Sequence, residues 1–256
     1  MAPRRILVTG AEGVIGTAVR EHLAGRYELV SLTLTPQDFP SHVADISDLD
    51  AIRPAFENVD AVVHLAASPA IETPWDDVLR NNIVGTYNVF EAARDAGVTR
   101  VVFASSNHAV GMYELDGAPA LYDVDDERSY DHVAEIRPDS LYGVSKAYGE
   151  ALGRMYMERH GLRVFCLRIG AVRANDDPSA PTPNPLIDLN AEGQRNRLRA
   201  VWLSQRDCAE LIARCLDVED GSWAVVYGVS ANPRRFWDLT HARDLLGWEP
   251  QDAAPA

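Results

Sequence analysis

Short runs dense in Val, Ile and Leu alternate along the chain with helix-length amphipathic segments, and the alternation begins within the first ten residues. This pattern predicts an α/β fold, a doubly wound parallel sheet whose strands are joined by crossover helices. Strands are expected near residues 5–9, 28–34, 61–65, 100–105, 163–168 and 224–227. Helices are expected near 14–24, 49–57, 75–96, 141–160, 206–217 and 236–245. Two stretches break the rhythm. Residues 114–138 are acidic and contain Asp125-Asp126-Glu127, and residues 173–196 hold Pro178, Pro181, Pro183 and Pro185. Loops of this length inside a compact domain are functional lids or surface segments, and both readings stand for the second stretch, as a cover for substrate or as plain surface.

Composition narrows the class. A chain of 256 residues with 46% hydrophobic and 24% charged positions can fill one core, which excludes a disordered, collagen-like or disulfide-scaffold protein. No apolar run approaches the roughly 20 residues that span a bilayer. The start runs at once into a strand rather than a secretion signal, so a cytoplasmic protein without a membrane partner is expected. A formal charge of -14 with no basic patch disfavours nucleic acid as a partner. Cys166, Cys208 and Cys215 lack metal or CxxC spacing, so they read as buried reduced thiols and no metal site is expected. Of the 24 basic residues only Lys146 is lysine. In such a background, a surviving lysine suggests a position where a guanidinium cannot replace a compact ammonium.

After the first expected strand comes Thr9-Gly10-Ala11-Glu12-Gly13-Val14-Ile15-Gly16. Gly10 permits a tight turn, Gly13 lets backbone approach a pyrophosphate, and Gly16 lets the helix pack closely on the sheet. The helix N-terminus then offers unpaired N–H groups to phosphates. Thr33 stands where the second strand ordinarily carries an acid for the adenosine ribose, and no Arg nearby welcomes a 2′-phosphate. NAD is therefore the expected cofactor, with NADP not excluded. Asp45, followed by Ile46, is placed either to accept from an adenine amino group or to sit as a solvated loop acid.

Tyr142 and Lys146 lie four residues apart, hence on one helix face. A phenol titrates near 10, so its use as a base around neutrality needs a nearby cation, which Lys146 supplies. The strand Val101-Val102-Phe103-Ala104-Ser105 runs into Ser106, Asn107 and His108, at the carboxyl end where ligands bind in open α/β sheets. Ser106 can hydrogen-bond a reacting oxygen while Asn107 and His108 hold substrate; strand capping and a packing histidine are the alternative readings.

Together, TGxxGxxG, Ser106 and YxxxK resemble the extended short-chain dehydrogenase/reductases of the epimerase/dehydratase branch. The likeness covers nearly the whole chain, down to Leu246-Gly247-Trp248-Glu249-Pro250. It implies one Rossmann-type domain over residues 1–256, with 1–168 mainly a dinucleotide-binding core and 169–256 mainly a small C-terminal substrate-binding region. Phe103-Ala104-Ser105-Ser106-Asn107-His108, Leu79-Arg80-Asn81-Asn82-Ile83 and Trp202-Leu203-Ser204 are similar to uronate dehydrogenases and to haloarchaeal NAD-dependent glucose-6-phosphate dehydrogenases. Oxidation of a sugar C1 hydroxyl to a lactone is what this resemblance implies. It makes Tyr142 the base, Lys146 its activator and a nicotinamide-ribose ligand, and Ser106 the donor that orients the hydroxyl. It gives Asn82 the support of the helix backbone and of a proton-relay water. Val14, Ile15, Leu65, Ala66, Ala67 and Asn82 join the glycines, Thr33, Asp45 and Ile46 around the cofactor. Ser68, Asn107, His108 and Arg197 join Ser106 and Tyr142 around the sugar.

Arg197 would meet the carboxylate or phosphate at the far end of the sugar, unless it is a solvated arginine beside Arg195 and Arg199. The chain departs from uronate dehydrogenases in carrying Ala171, where they have serine, after Arg168-Ile169-Gly170, and in a longer 173–196 stretch, which implies a different substrate outline. A homodimer is implied through the helices at 75–96 and 141–160. Two other readings remain: a nucleotide-sugar epimerase or dehydratase with recycled NAD, opposed by the short region after Gly170, and a non-catalytic dinucleotide sensor.

Overall fold

The computed structural model describes residues 4–255. In chain order it contains β1 (Arg5–Thr9), α1 (Val14–Leu23), β2 (Glu28–Thr33), β3 (His42–Val43), α2 (Leu49–Ile52), β4 (Ala61–His64), α3 (Trp75–Asp77), α4 (Gly85–Asp95) and β5 (Arg100–Ser106). There follow α5 (Met112–Gly117), α6 (Leu141–His160), β6 (Arg163–Ile169), α7 (Ala191–Val201), α8 (Gln205–Asp217), β7 (Trp223–Gly228) and α9 (Thr240–Leu246). All strands pair in parallel in one seven-stranded sheet, ordered β3-β2-β1-β4-β5-β6-β7. The order reverses between β1 and β4, which opens a crevice outside their carboxyl ends.

The sheet is covered on both faces because its strands are apolar on both sides. Ile6 and Val8 of β1 join a core with Val19 of α1, Leu211 of α8 and Trp248. Leu7 points the other way, into a core with Val89 and Phe90 of α4 and Tyr156 of α6. No helix among the described residues is long and apolar enough to cross a membrane. The three cysteines are free and buried, and burial pushes the Cys208 thiol up to about 12.

Local departures from the expected elements have tertiary causes. The two residues of β3 are exposed and too short to leave a pattern. Helix α9 starts at Thr240 rather than 236 because Phe236 and Trp237, both fully buried, run as extended backbone beside Tyr130. Tyr130 N–H donates to Phe236 O at 2.8 Å, and the Trp237 ring stacks on Tyr227. Helix α5 overlaps the start of the first irregular stretch and α7 the end of the second; α7 is capped by Asn190, whose side chain accepts from Gly193 N–H.

Candidate active site

A cavity of about 720 Å³ follows the crevice from the end of β2 to the ends of β5 and β6. That is an ordinary size for a small-molecule site. Its wall gathers Gly10, Gly13, Val14, Ile15, Gly16, Thr33, Asp45, Ile46, Leu65, Ala66, Ala67, Ser68, Ser106, Asn107, His108, Tyr142, Lys146 and Arg197. Of the expected cofactor and substrate residues, Asn82 alone lies outside this wall.

At the phosphate end, Gly10 has φ +68, and a Cβ there would meet Ala66 backbone at 2.8 Å. A Cβ on Gly16 would lie 2.5 Å from Gly10 O, so the turn tolerates glycine only. The bare turn leads into the N-terminus of α1, whose free N–H groups and dipole suit a pyrophosphate. These residues fit a dinucleotide. Farther out, Asp45 accepts from Ser47 N–H at 2.8 Å and pairs with Arg80 at 2.6 Å. Burial opposes its ionisation, but these partners outweigh it and hold the carboxyl below its usual range.

At the other end, Ser140 caps α6 by accepting from Gly143 N–H at 3.0 Å, which sets Tyr142 and Lys146 in the first turns of the helix beneath the end of β5. Burial pushes the Tyr142 phenol up to about 12; a hydrogen bond with Ser106 works against this, and nearby Asp139 adds to it. Ser106 Oγ accepts from His108 N–H and donates to Asn107 Oδ1 at 3.2 Å. Lys146 Nζ lies 5.4 Å from the Tyr142 ring centre and 5.1 Å from that of Phe103.

Lys146 is only 3% exposed and forms no ion pair among the described residues, and burial lowers its ammonium to about 7. The unfolded chain would hold that proton up to about 10.5, so between these values it binds more protons than the folded protein. Stability of the ligand-free protein, measured against Lys146→Met by chemical denaturation, is therefore expected to climb with pH through this window. The slope approaches about 1.4 kcal/mol per unit. A difference that stays flat from pH 7 upward would refute the lowered ammonium.

Asn82 lies behind the wall in a π-helical segment, Val78–Val84, a kind of distortion common at functional sites. Its Oδ1 accepts from Ser68 N–H at 2.8 Å, and its Nδ2 donates to Ser68 O and Ser145 Oγ, each at 3.1 Å. Both donors are spent, so its amide braces the loop after β4 against α6. Asn81 donates to Ser68 Oγ at 2.9 Å, completing the hold on Ser68.

Two carboxylates escaped sequence reasoning. Asp139 Oδ2 meets His108 Nδ1 at 2.6 Å and orients the ring, leaving Nε2 uncommitted; its place beside the Ser140 cap disguises it as a helix-start acid. Glu114 meets Arg197 Nε at 2.8 Å and accepts from Tyr122 Oη at 2.9 Å. The 83 positions between Glu114 and Arg197 hide their pairing. Arg197 thus reaches the cavity with its charge already matched and is not a solvated helix-face residue. Arg173 lines the same cavity and forms no ion pair among the described residues.

A parallel α/β sheet with a glycine turn at its switch point and a Ser, Tyr and Lys group at the strand ends defines a dinucleotide-linked enzyme class. Residues 6–201 match the NAD dependent epimerase/dehydratase family, and the chain belongs to it. It is 41% identical to the NAD-dependent glucose-6-phosphate dehydrogenase of Haloferax volcanii, over 96% of this chain and 93% of that one. It is 39% identical to the L-arabinose 1-dehydrogenase (NAD(P)(+)) of the same organism, over 97% and 96%. A crystal structure of a variant of Agrobacterium tumefaciens uronate dehydrogenase complexed with NAD superposes with TM-score 0.82 at 34% identity, covering 98% of this chain and 86% of that one.

Proposed function

We propose that the protein is a sugar dehydrogenase that uses NAD, with NADP as the rival cofactor, to oxidise the C1 hydroxyl of a hexose 6-phosphate or a hexuronate to the lactone. The observation that carries this reading is the meeting in one cavity of the glycine turn with Ser106, Tyr142 and Lys146. The similar dehydrogenases of glucose 6-phosphate, arabinose and uronate support it.

Gly10, Gly13, Val14, Ile15 and Gly16 would hold the pyrophosphate, Thr33, Asp45 and Ile46 the adenosine, and Leu65, Ala66, Ala67, Tyr142 and Lys146 the nicotinamide riboside. When bound, NAD supplies the ring carbon that accepts the hydride from C1. Ser106 Oγ orients the C1 hydroxyl, and Tyr142 Oη takes its proton. Protonated Lys146 favours the phenolate electrostatically in a cavity where burial alone would disfavour it. His108, fixed by Asp139, Asn107 and Ser68 would position the ring hydroxyls. Arg197 within its ion pair, together with the unpaired Arg173, would meet the anionic end of the sugar.

The test is formation of NADH and NADPH with glucose 6-phosphate, glucuronate, galacturonate, arabinose, glucose and UDP-glucose. Turnover of a free or phosphorylated sugar with net NADH release is expected. Silence across the panel with cofactor still bound would replace this reading with an epimerase or dehydratase that recycles its cofactor.

The same reading makes the protein a cytoplasmic homodimer. Trp75, Leu79 and Tyr87 along the α3 to α4 helix, and Leu141 and Val144 on α6, leave apolar side chains exposed where a second copy would cover them. Light scattering is expected to return twice the chain mass, and a monomer would reject this.

A further inference from the structure

The end of β2 lacks an acid of its own, yet a carboxylate stands there. Thr33, where an acid was expected, is buried and spends its hydroxyl on Ser41 Oγ at 3.0 Å. Glu12, from the turn between β1 and α1, reaches across 22 positions so that its Oε1 accepts from Leu34 N–H at 2.8 Å. Its second oxygen, Oε2, is enclosed and has no hydrogen-bond partner among the described residues. A carboxylate oxygen closed off from water without a donor is costly, and the cost is removed when a ligand hydroxyl supplies one.

Charge at this end points the same way. Glu12, Leu34 and Asp45 share the cavity wall, and the basic residues that line the cavity, Lys146, His108, Arg173 and Arg197, all belong to elements past the end of β5. Arg80 is committed to Asp45. Arg20 donates to Ala11 O at 3.1 Å and lies over the Phe39 ring, 3.6 Å from its centre. Nothing here offers a guanidinium to a phosphate.

We propose that Glu12 sets the cofactor preference, its carboxylate accepting from the adenosine ribose hydroxyls of NAD and repelling the 2′-phosphate of NADP. An acid delivered from the glycine turn thus does the work that the β2 terminus leaves undone. The proposal rests on the reading of this cavity as a dinucleotide site.

The experiment titrates ligand-free protein with NADH and with NADPH, following the fluorescence of the reduced nicotinamide, for the native chain, Glu12→Gln and Glu12→Ala. The native chain is expected to bind NADH about 100-fold more tightly than NADPH, the size expected of opposed like charges plus a lost hydrogen bond. Glu12→Gln keeps an acceptor for Leu34 N–H but drops the charge, and is expected to tighten NADPH about 10-fold while weakening NADH only a few-fold. Glu12→Ala is expected to bring the two affinities within a few-fold of each other. A preference for NADH that survives unchanged in both variants overturns the proposal while leaving the dinucleotide site in place, as does a native chain that binds NADPH as tightly as NADH. Failure of the native chain to bind either cofactor overturns both readings. Melting temperatures of the two variants separate altered selectivity from misfolding.

Discussion

Replacing Tyr142 by Phe is expected to lower kcat by about 10²–10⁴-fold, the usual worth of one proton-transfer group, while NADH binding changes only a few-fold. The substitution removes one oxygen and nothing else. Tyr142 is 8% exposed, its ring packs edge-on against His108 at 5.8 Å, and α6 is capped by Ser140 independently of the hydroxyl. Phe therefore keeps the packing, and the melting temperature should hold. What is lost is the oxygen that the proposed reading makes the acceptor of the sugar proton beside Ser106. In the ligand-free protein burial pushes the phenol up to about 12, so the proposed use of it as a base depends on added positive charge, and Lys146 Nζ lies 5.4 Å from the ring centre. Full activity in Tyr142→Phe would remove the residue from the chemistry and favour a protein that binds its dinucleotide without turning it over.

Arg197→Ala is expected to act on stability before it acts on substrate. Arg197 is 7% exposed and Glu114 1%, and the Coulomb attraction of that carboxylate raises the guanidinium pKa even against burial. Deleting the cation strands Glu114 in the interior without its paired charge, although Tyr122 Oη still donates to it. Breaking a buried pair in this way costs about 3–5 kcal/mol. For a chain of this size each kcal/mol lowers Tm by roughly 2–4 °C, so a fall of roughly 6–20 °C is expected. Arg197→Met combined with Glu114→Gln removes both charges and should recover most of that loss. In the double variant, KM for the sugar is expected to rise about 10-fold, with kcat much less changed, because the contact proposed for Arg197 would hold ground state and transition state alike. An unchanged Tm in Arg197→Ala would contradict the buried pair, and an unchanged KM in the double variant would take Arg197 out of substrate binding.

Much of this architecture could be read in the sequence because its signals are local. The bounds of β1 and α6 follow directly from apolar runs, the Ser140 cap and Gly161 at φ 69. The turn from Gly10 to Gly16 and the Tyr142, Lys146 spacing each lie within a few consecutive residues, where backbone geometry alone fixes what faces what. What could not be read depends on chain segments meeting from far apart. Phe236 and Trp237 show a helical pattern, but packing against Tyr130 and Tyr227 holds them extended. Asn82 carries no mark that its amide would be consumed by Ser68 and Ser145. Asp139, Glu114 and Glu12 are acids in an acidic chain, and only the fold reveals the partner that each one meets. The π-helical segment at Val78–Val84 is likewise invisible to a helix pattern, since one residue more or less per turn leaves the apolar stripe nearly intact.

The near absence of lysine has a practical consequence for anyone labelling this molecule. Lys146 is the sole side-chain amine of the sequence, it lies in the cavity wall, and its lowered pKa leaves a large fraction unprotonated and nucleophilic near neutrality. A small aldehyde that enters the cavity and is trapped there by borohydride would mark this one side chain, with no background from surface lysines. The extent of labelling at Lys146, read on its own peptide so that the chain's α-amine does not contribute, then becomes a direct count of vacant sites, and protection by a bound ligand becomes a binding isotherm that needs no turnover.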